Sequence, residues 1–119
     1  MDTLEKIELF KQRTKSLSLK TIRLFQSLPR KDEAVIIGKQ LLRSSTSVAA
    51  NYRAACRARS QAEFYSKISI VVEEADETLF WLELLHDSEI LIGEELQELL
   101  NEYLEVVKIV NKIRYNIKK

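Results

Sequence analysis

The chain has 119 residues, a length that predicts a single domain over residues 1–119. Its composition, 45% hydrophobic and 31% charged, suits a soluble helical protein. Two glycines and one proline are too few turn formers for a fold rich in β-sheet, and the net charge of +1 says little about partners.

The cellular compartment is predicted from three features of the sequence. The single cysteine, Cys56, excludes an internal disulfide framework and fits a reducing cytosol. The N-terminal residues lack the apolar h-region of a signal peptide. No apolar run approaches the roughly 18 residues that a membrane span needs. We therefore expect a cytoplasmic protein with no membrane partner.

The first helix is predicted over about residues 3–28. Asp2 and Glu5 are expected to form either an acidic first turn or a capping pair at its start. Pro29 ends the helix because proline disfavours helical geometry in the preceding residue. Its apolar stripe is made of large residues at helical spacing: Leu4, Ile7, Phe10, Leu17, Leu24, Phe25 and Leu28.

The second and third helices are predicted over about residues 33–58 and 61–86. Asp32 is a good N-cap for the second helix. Ser60 and Glu63 have the S-x-x-E spacing of a capping box, which fixes the start of the third helix. The second helix carries many small residues, and the third has a conventional apolar face: Phe64, Ile68, Val71, Ala75, Thr78, Leu82 and Leu85.

The fourth helix is predicted over about residues 93–117. Its apolar seam alternates steps of three and four, as in a coiled coil: Leu96, Leu99, Tyr103, Val106, Val110, Ile113 and Ile117. A second row, Leu100, Leu104 and Val107, predicts contact with another subunit because it is wider than one neighbouring helix covers. Lys118 and Lys119 are expected to fray.

Connections of three to seven residues force consecutive helices to run in opposite directions. The predicted fold class is therefore all-α, an antiparallel up-down-up-down four-helix bundle. In that fold, residues 1–15, 45–74 and 104–119 share one end, which we call the basic end. It holds thirteen basic and seven acidic residues, while the opposite end has a net charge of −5.

The basic end has two interpretations. Cations near helix C-termini complement the helix dipole, and solvated charged faces are common. Alternatively, a basic face binds the phosphates of a nucleic acid. The candidate phosphate contacts are the basic side chains of the last three helices at this end: Arg53, Arg57, Arg59, Lys67, Lys108, Lys112 and Arg114.

The hydroxyl run Ser44–Ser47 is interpreted as packing rather than catalysis. A serine nucleophile needs a base within hydrogen-bond reach, and the only histidine, His86, lies at the far end of the third helix. A di-iron bundle needs two E-x-x-H motifs, and the sequence has one, Glu83-x-x-His86. No glycine-rich phosphate loop is present. We expect no catalytic residue, no metal and no cofactor.

A polar network is predicted between the second and third helices. Antiparallel pairing places Ser47 opposite Glu73 and Arg43 opposite Glu77. The expected members are Arg43, Ser44 and Ser47 against Glu73, Asp76 and Glu77, with Asn51 specifying register or oligomeric state. Trp81 is either an exposed interface anchor or an ordinary core residue.

Several runs of this sequence resemble the 23S rRNA intervening-sequence proteins. They are QLLRSSTSV at residues 40–48, Ala50-Asn51, Arg59-Ser60 with Glu63-Phe64, and Glu74-Ala75-Asp76-Glu77-Thr78 with Trp81-Leu82. The resemblance spans nearly the whole chain. Many members carry an acid three residues after the asparagine, whereas this chain has Ala54, so its second helix is more basic.

The resemblance implies a bacterial cytoplasmic four-helix bundle that assembles as a ring-like homopentamer and has no established enzymatic activity. The sequence is also similar to the accessory protein of diversity-generating retroelements, which binds nucleic acid and a reverse transcriptase. We therefore expect a non-enzymatic scaffold that binds RNA or DNA through its basic end. The alternatives are a protein–protein adaptor that uses Trp81 and the surface of the fourth helix, and a metal-dependent enzyme.

Overall fold

The computed structural model describes residues 1–117, which form four α-helices and no strand. The helices are α1 (Thr3–Gln26), α2 (Asp32–Cys56), α3 (Gln61–Asp87) and α4 (Glu94–Asn116). The predicted all-α class is confirmed, and every helix bound lies within two residues of its predicted position. The fraying expected at Lys118 and Lys119 falls outside the described residues.

The helix starts follow from local capping chemistry, with one correction. A carboxylate oxygen of Asp2 accepts a 2.8 Å hydrogen bond from the Glu5 amide, and Ser60 Oγ accepts one of 3.0 Å from the Glu63 amide. The prediction that Asp32 caps α2 is wrong. Lys31 holds the extended cap conformation, so Asp32 is the first helical residue and acts through the helix dipole instead.

The four helices pack as a ring in which each contacts its neighbours in the sequence and α4 closes against α1. Phe10 stacks edge-on against Tyr52, whereas Phe25 lies beside Gly38, so α1 and α2 run in opposite directions. The short connections at 57–60 and 88–93 likewise make the chain double back. The arrangement is the antiparallel bundle expected, measuring 44 × 26 × 19 Å.

The buried face of α1 differs from the predicted stripe. Leu4 is 78% exposed and Ile7 is 37% exposed, and all of residues 1–9 are exposed. Further along α1, the buried positions include three hydroxyl side chains, Thr14, Ser18 and Thr21. Apolar spacing alone missed this because α1 packs mainly on α2, whose small side chains leave room for hydroxyl groups.

The second apolar row of α4 is largely covered within the chain. Leu100 is buried and Val107 is half-buried against the core, whereas Leu104 is 44% exposed. One exposed leucine is ordinary for a protein surface. This row therefore gives little support to a subunit contact through α4.

A buried hydroxyl cluster joins three helices at the middle of the bundle. Ser45 Oγ donates a 3.0 Å hydrogen bond to Thr21 Oγ1 and lies 2.6 Å from the Tyr103 hydroxyl. The hydroxyl of Ser18 donates to the Ser45 carbonyl at 3.1 Å. Burial raises the pKa of the Tyr103 phenol, which therefore keeps its proton. Every polar atom in the cluster is satisfied, as burial requires.

We expect Tyr103→Phe to lower the free energy of unfolding by about 1 kcal/mol, because it removes one buried hydrogen bond and nothing else. The melting temperature should fall by about 3–6 °C. Tyr115→Phe is the matched control, since Tyr115 lies on the same helix and is 89% exposed. Equal melting temperatures for Tyr103→Phe and the unmodified chain would contradict a stabilising role for the cluster.

Candidate nucleic-acid interface

An ion-paired cluster connects α2 to α3 near the middle of both helices. Arg43 Nη1 lies 2.9 Å from a Glu74 carboxylate oxygen, and Nη2 contacts Glu77 Oε2. The indole N–H of Trp81 donates a 3.1 Å hydrogen bond to that same Glu77 oxygen. The pairing of Arg43 with Glu77 is the one that antiparallel register predicted.

Two predicted members of this cluster lie elsewhere. Glu73 and Asp76 are exposed, and Glu74 takes the place expected of Glu73. The reason is helical geometry at about 100° per residue. Glu74 lies on the side of Glu77 that turns towards buried Thr78, whereas Glu73 and Asp76 lie on the side that turns towards solvent.

The hydrogen-bond partners of the α2 serines also differ from those predicted. Ser44 Oγ lies 2.9 Å from Thr78 Oγ1, which joins α2 to α3 inside the core. Ser47 and Asn51 bond to each other, because Asn51 Nδ2 donates to the Ser47 carbonyl at 3.0 Å and to its hydroxyl at 2.9 Å. Asn51 therefore makes its hydrogen bonds within α2, and Ser47 does not meet Glu73.

The buried serines are unsuited to act as nucleophiles. Ser44 and Ser45 are fully buried, and their hydroxyls are held by Leu41, Thr78, Thr21 and Tyr103. His86 is exposed at the end of α3 and bonds to the adjacent Asp87. Ser44 and Ser45 therefore join helices, in agreement with the packing interpretation, whereas Thr46 and Ser47 make their hydrogen bonds within α2.

The predicted phosphate contacts occupy the basic end but do not form a single patch. Arg53, Arg57, Arg59, Lys108 and Lys112 are exposed, and Lys67 is half-buried. Arg114 is turned onto α3, where it donates to Ser69 Oγ at 3.0 Å and to the Tyr65 hydroxyl at 3.1 Å. Its guanidinium also lies 5.2 Å from the centre of the Tyr65 ring.

A groove between α1 and α2 adds two basic residues that sequence reasoning left out of the site. Lys11 and Lys15 line it from α1, and Arg53 lines it from α2. The rest of its lining is Gln12 and four small residues: Ser18, Thr46, Ala49 and Ala50. The spacing of Lys11 and Lys15, one helical turn apart, was the available signal. We call these residues the α1/α2 groove.

Trp81 is not the exposed aromatic anchor of the bundle. Its side chain is half-buried, and its N–H is engaged by Glu77. The neighbouring Phe80 is 48% exposed and stacks edge-on against Trp81 with ring centres 5.0 Å apart. The solvent-facing aromatic group on α3 is therefore Phe80.

Cys56 lies at the exposed end of α2, beside the Tyr52 hydroxyl. Partial burial raises the pKa of its thiol, although the Tyr52 hydrogen bond acts in the other direction. A thiol with a raised pKa is a weaker nucleophile at neutral pH. The Cys56 side chain is exposed and is not part of the core.

Within residues 1–117, no group of three or more His, Cys, Asp or Glu side chains is arranged to hold a metal ion. Nor does any helix in that range combine the length and apolar character that crossing a membrane requires.

Comparison with known proteins identifies the fold's relatives. Residues 7–112 match the family described as 23S rRNA-intervening sequence protein. The chain belongs to this family. Its four-helix architecture is shared by a crystal structure from the S23 ribosomal protein family of Bacteroides thetaiotaomicron, a protein of unknown function. That similarity has a TM-score of 0.83 at 32% identity and covers 93% of this chain and 99% of the other. No curated protein sequence matches the chain.

Family membership accounts for the bundle and leaves the activity open. The match includes all of α2 and α3, and hence the Arg43 cluster and the hydroxyl contacts around Ser45. It also includes most of the predicted phosphate contacts, from Arg53 to Lys112. The chemistry of the basic end must therefore be argued from this chain's own residues.

We expect Arg43→Ala to lower the free energy of unfolding by about 0.5–1 kcal/mol, because a half-exposed ion pair contributes little more than that. Urea unfolding at low and high salt should show the loss shrinking as salt screens the carboxylates. Lys39→Ala is the control, an exposed cation on α2 with no ion pair among the described residues. A loss that is the same for both variants would contradict the cluster's contribution.

Proposed function

We propose that this chain is a non-enzymatic helical bundle that binds the phosphate backbone of RNA or DNA through its basic end. One observation carries the proposal. Within residues 1–117, Arg53, Arg57, Arg59, Lys108 and Lys112 are exposed and no carboxylate forms an ion pair with any of them. Exposed cations at the opposite end, such as Arg30, Lys31 and Lys39, have no ion pair among the described residues either, so what distinguishes the basic end is its excess of thirteen basic over seven acidic residues.

Helix dipoles explain only part of this arrangement. Arg57 follows the C-terminus of α2, and Lys112 lies near the C-terminus of α4, where cations are favourable. Arg59 instead precedes the N-terminus of α3, where the dipole favours anions, while Lys67 lies in the second turn of that helix. An anionic partner accounts for the cations at both kinds of helix end.

The expected binding mode is electrostatic and indifferent to sequence. Exposed arginine and lysine side chains neutralise phosphates and release counterions, which makes the affinity fall steeply with salt. Arg114 has a different role in this scheme. Because it is held by Tyr65 and Ser69, it contributes charge without the freedom to follow a phosphate.

Binding rather than catalysis is favoured by the state of the hydroxyl groups. The serines of the run 44–47 that face the core are buried and already hydrogen-bonded, so a substrate has no access to them. The proposal includes a cytoplasmic location, supported by the free thiol of Cys56. It also includes assembly into a homo-oligomer, for which the family resemblance suggests a pentamer.

We expect the double variant Arg57→Glu and Arg59→Glu to weaken binding of a fluorescently labelled RNA hairpin or DNA duplex at least tenfold in low salt. Fluorescence anisotropy measures the affinity. The slope of log affinity against log salt should also decrease in magnitude by about one to two. Reversing two charges replaces attraction to phosphate by repulsion, so the effect should be similar for different nucleic-acid sequences.

The matched control is Arg30→Glu and Lys31→Glu, which reverses two exposed cations in the connection at the opposite end of the bundle. It changes net charge by the same amount and should leave binding nearly unchanged. An equal loss of nucleic-acid affinity in both double variants, or no binding by the unmodified chain at low salt, would contradict the proposal. A protein partner retained through nuclease treatment and high salt would instead favour the adaptor alternative.

A further inference from the structure

The single chain exposes more surface than a free-standing monomer of its size. Its accessible surface is 7644 Å². A typical folded monomer of 13.9 kDa exposes about 6,700 Å². The elongated 44 × 26 × 19 Å shape and the exposed residues 1–9 contribute to this excess of about 1,000 Å², so the excess leaves room for a partner but does not locate one.

One unpartnered surface lies on the outer face of α3. Glu73, Asp76, Phe80 and Glu83 are all exposed and recur at steps of three, four and three. At about 100° per residue they fall within an arc of about 80°. We call these four residues the α3 stripe. Its centre is the 48%-exposed ring of Phe80, and its three carboxylates have no ion pair among the described residues.

The α1/α2 groove is complementary to the α3 stripe in charge and shape. Lys11, Lys15 and Arg53 line an open space of about 370 Å³, and apart from Gln12 the rest of its lining is small side chains. Glu8 lies at the same edge and pairs with Lys11 at 2.8 Å, so the groove keeps a net positive charge. Small lining residues allow another helix to approach closely, and the space is large enough for one aromatic ring.

We propose that the α3 stripe of one copy docks into the α1/α2 groove of a second copy, with Phe80 against the small lining residues and Asp76 and Glu83 beside the lysines. The two surfaces face different sides of one bundle, so they meet only between copies. Such a contact is head-to-tail, and repeating it closes a ring or extends a filament. This inference names the contact behind the homo-oligomer of the proposed function and rests on that part of it.

Charge reversal on each surface separately gives a decisive test. The groove variant is Lys11→Glu with Lys15→Glu, and the stripe variant is Asp76→Lys with Glu83→Lys. Each variant alone presents like charges at its own interface. Light scattering after gel filtration should show a multimer for the unmodified chain and a 13.9 kDa monomer for each variant. An equimolar mixture should assemble again into species in which the two variants alternate, because the acidic groove of one variant receives the basic stripe of the other; a closed ring of the mixture then has an even number of subunits.

Two further variants separate the contact from a general loss of folding. Phe80→Ala should weaken assembly at least tenfold, whereas Ile92→Ala, at a site 78% exposed in the connection before α4, should not. Circular dichroism should show unchanged helix content in all variants. A monomeric unmodified chain at 100 µM, multimers in both charge variants, or a mixture that stays monomeric would each overturn the proposal.

The stripe variant separates assembly from nucleic-acid binding. Asp76 and Glu83 lie outside the candidate nucleic-acid interface, whereas Lys11 and Lys15 line its α1/α2 groove, so RNA affinity is compared for the stripe variant only. Loss of assembly by the stripe variant with RNA affinity retained per subunit supports the docking contact alone. Loss of RNA affinity in the Arg57 and Arg59 variant with assembly intact supports the basic end alone.

Discussion

Two adjacent serines on α2 fasten that helix to the other three. Ser45 bonds to Thr21 of α1 and lies against Tyr103 of α4, while Ser44 meets Thr78 of α3. These contacts need short side chains, because a larger residue at either position would push a neighbouring helix away. They also fix rotation and register, since a hydrogen bond tolerates much less sliding than an apolar contact does. The contact between Ser44 and Thr78 sets the register of α2 against α3, and this register places the preceding residues, Arg43 and Glu77, opposite each other.

The fold could be predicted from the sequence, but much of the polar detail could not. Helix bounds depend on local signals such as the Ser60 cap and Pro29, which can be recognised in the sequence without knowledge of the fold. The choice of Glu74 over Glu73 depends on how far α3 rotates about its axis, and that is decided by packing across the whole bundle. The sequence placed Tyr103 in the apolar seam of α4. It did not indicate the hydrogen-bond partners of the Tyr103 hydroxyl, because they lie on helices that are distant in sequence. The sequence shows Lys11 and Lys15 as two cations one helical turn apart. It does not show the groove that they line, because the groove forms only when α2 packs beside α1.

The electrostatic character of this bundle comes from where its charges lie and not from its net charge. Net charge is close to zero, so long-range attraction to a polyanion must come from local fields at one end. An assembly would place several such ends near one another, and their fields would add over distances below the Debye length, about 8 Å in physiological salt. The docking contact would pair the carboxylates of the α3 stripe with Lys11, Lys15 and Arg53, so the cations outside the groove, such as Arg57 and Arg59, are the ones that stay free for phosphate.

The exposed first turns of α1 affect the kinetics of local opening. Residues 1–9 bury nothing in the core, so their own backbone hydrogen bonds, the Asp2 cap and the contacts of Glu8 with Lys11 and Gln12 hold them helical. Opening those turns exposes almost no apolar surface and leaves the Ser45 contacts intact. Their amide hydrogens should therefore exchange with water by local opening, much faster than those near Leu17, whose exchange requires disruption of the core. The start of α1 is in this sense a separate kinetic unit, joined to a bundle that opens on a slower timescale.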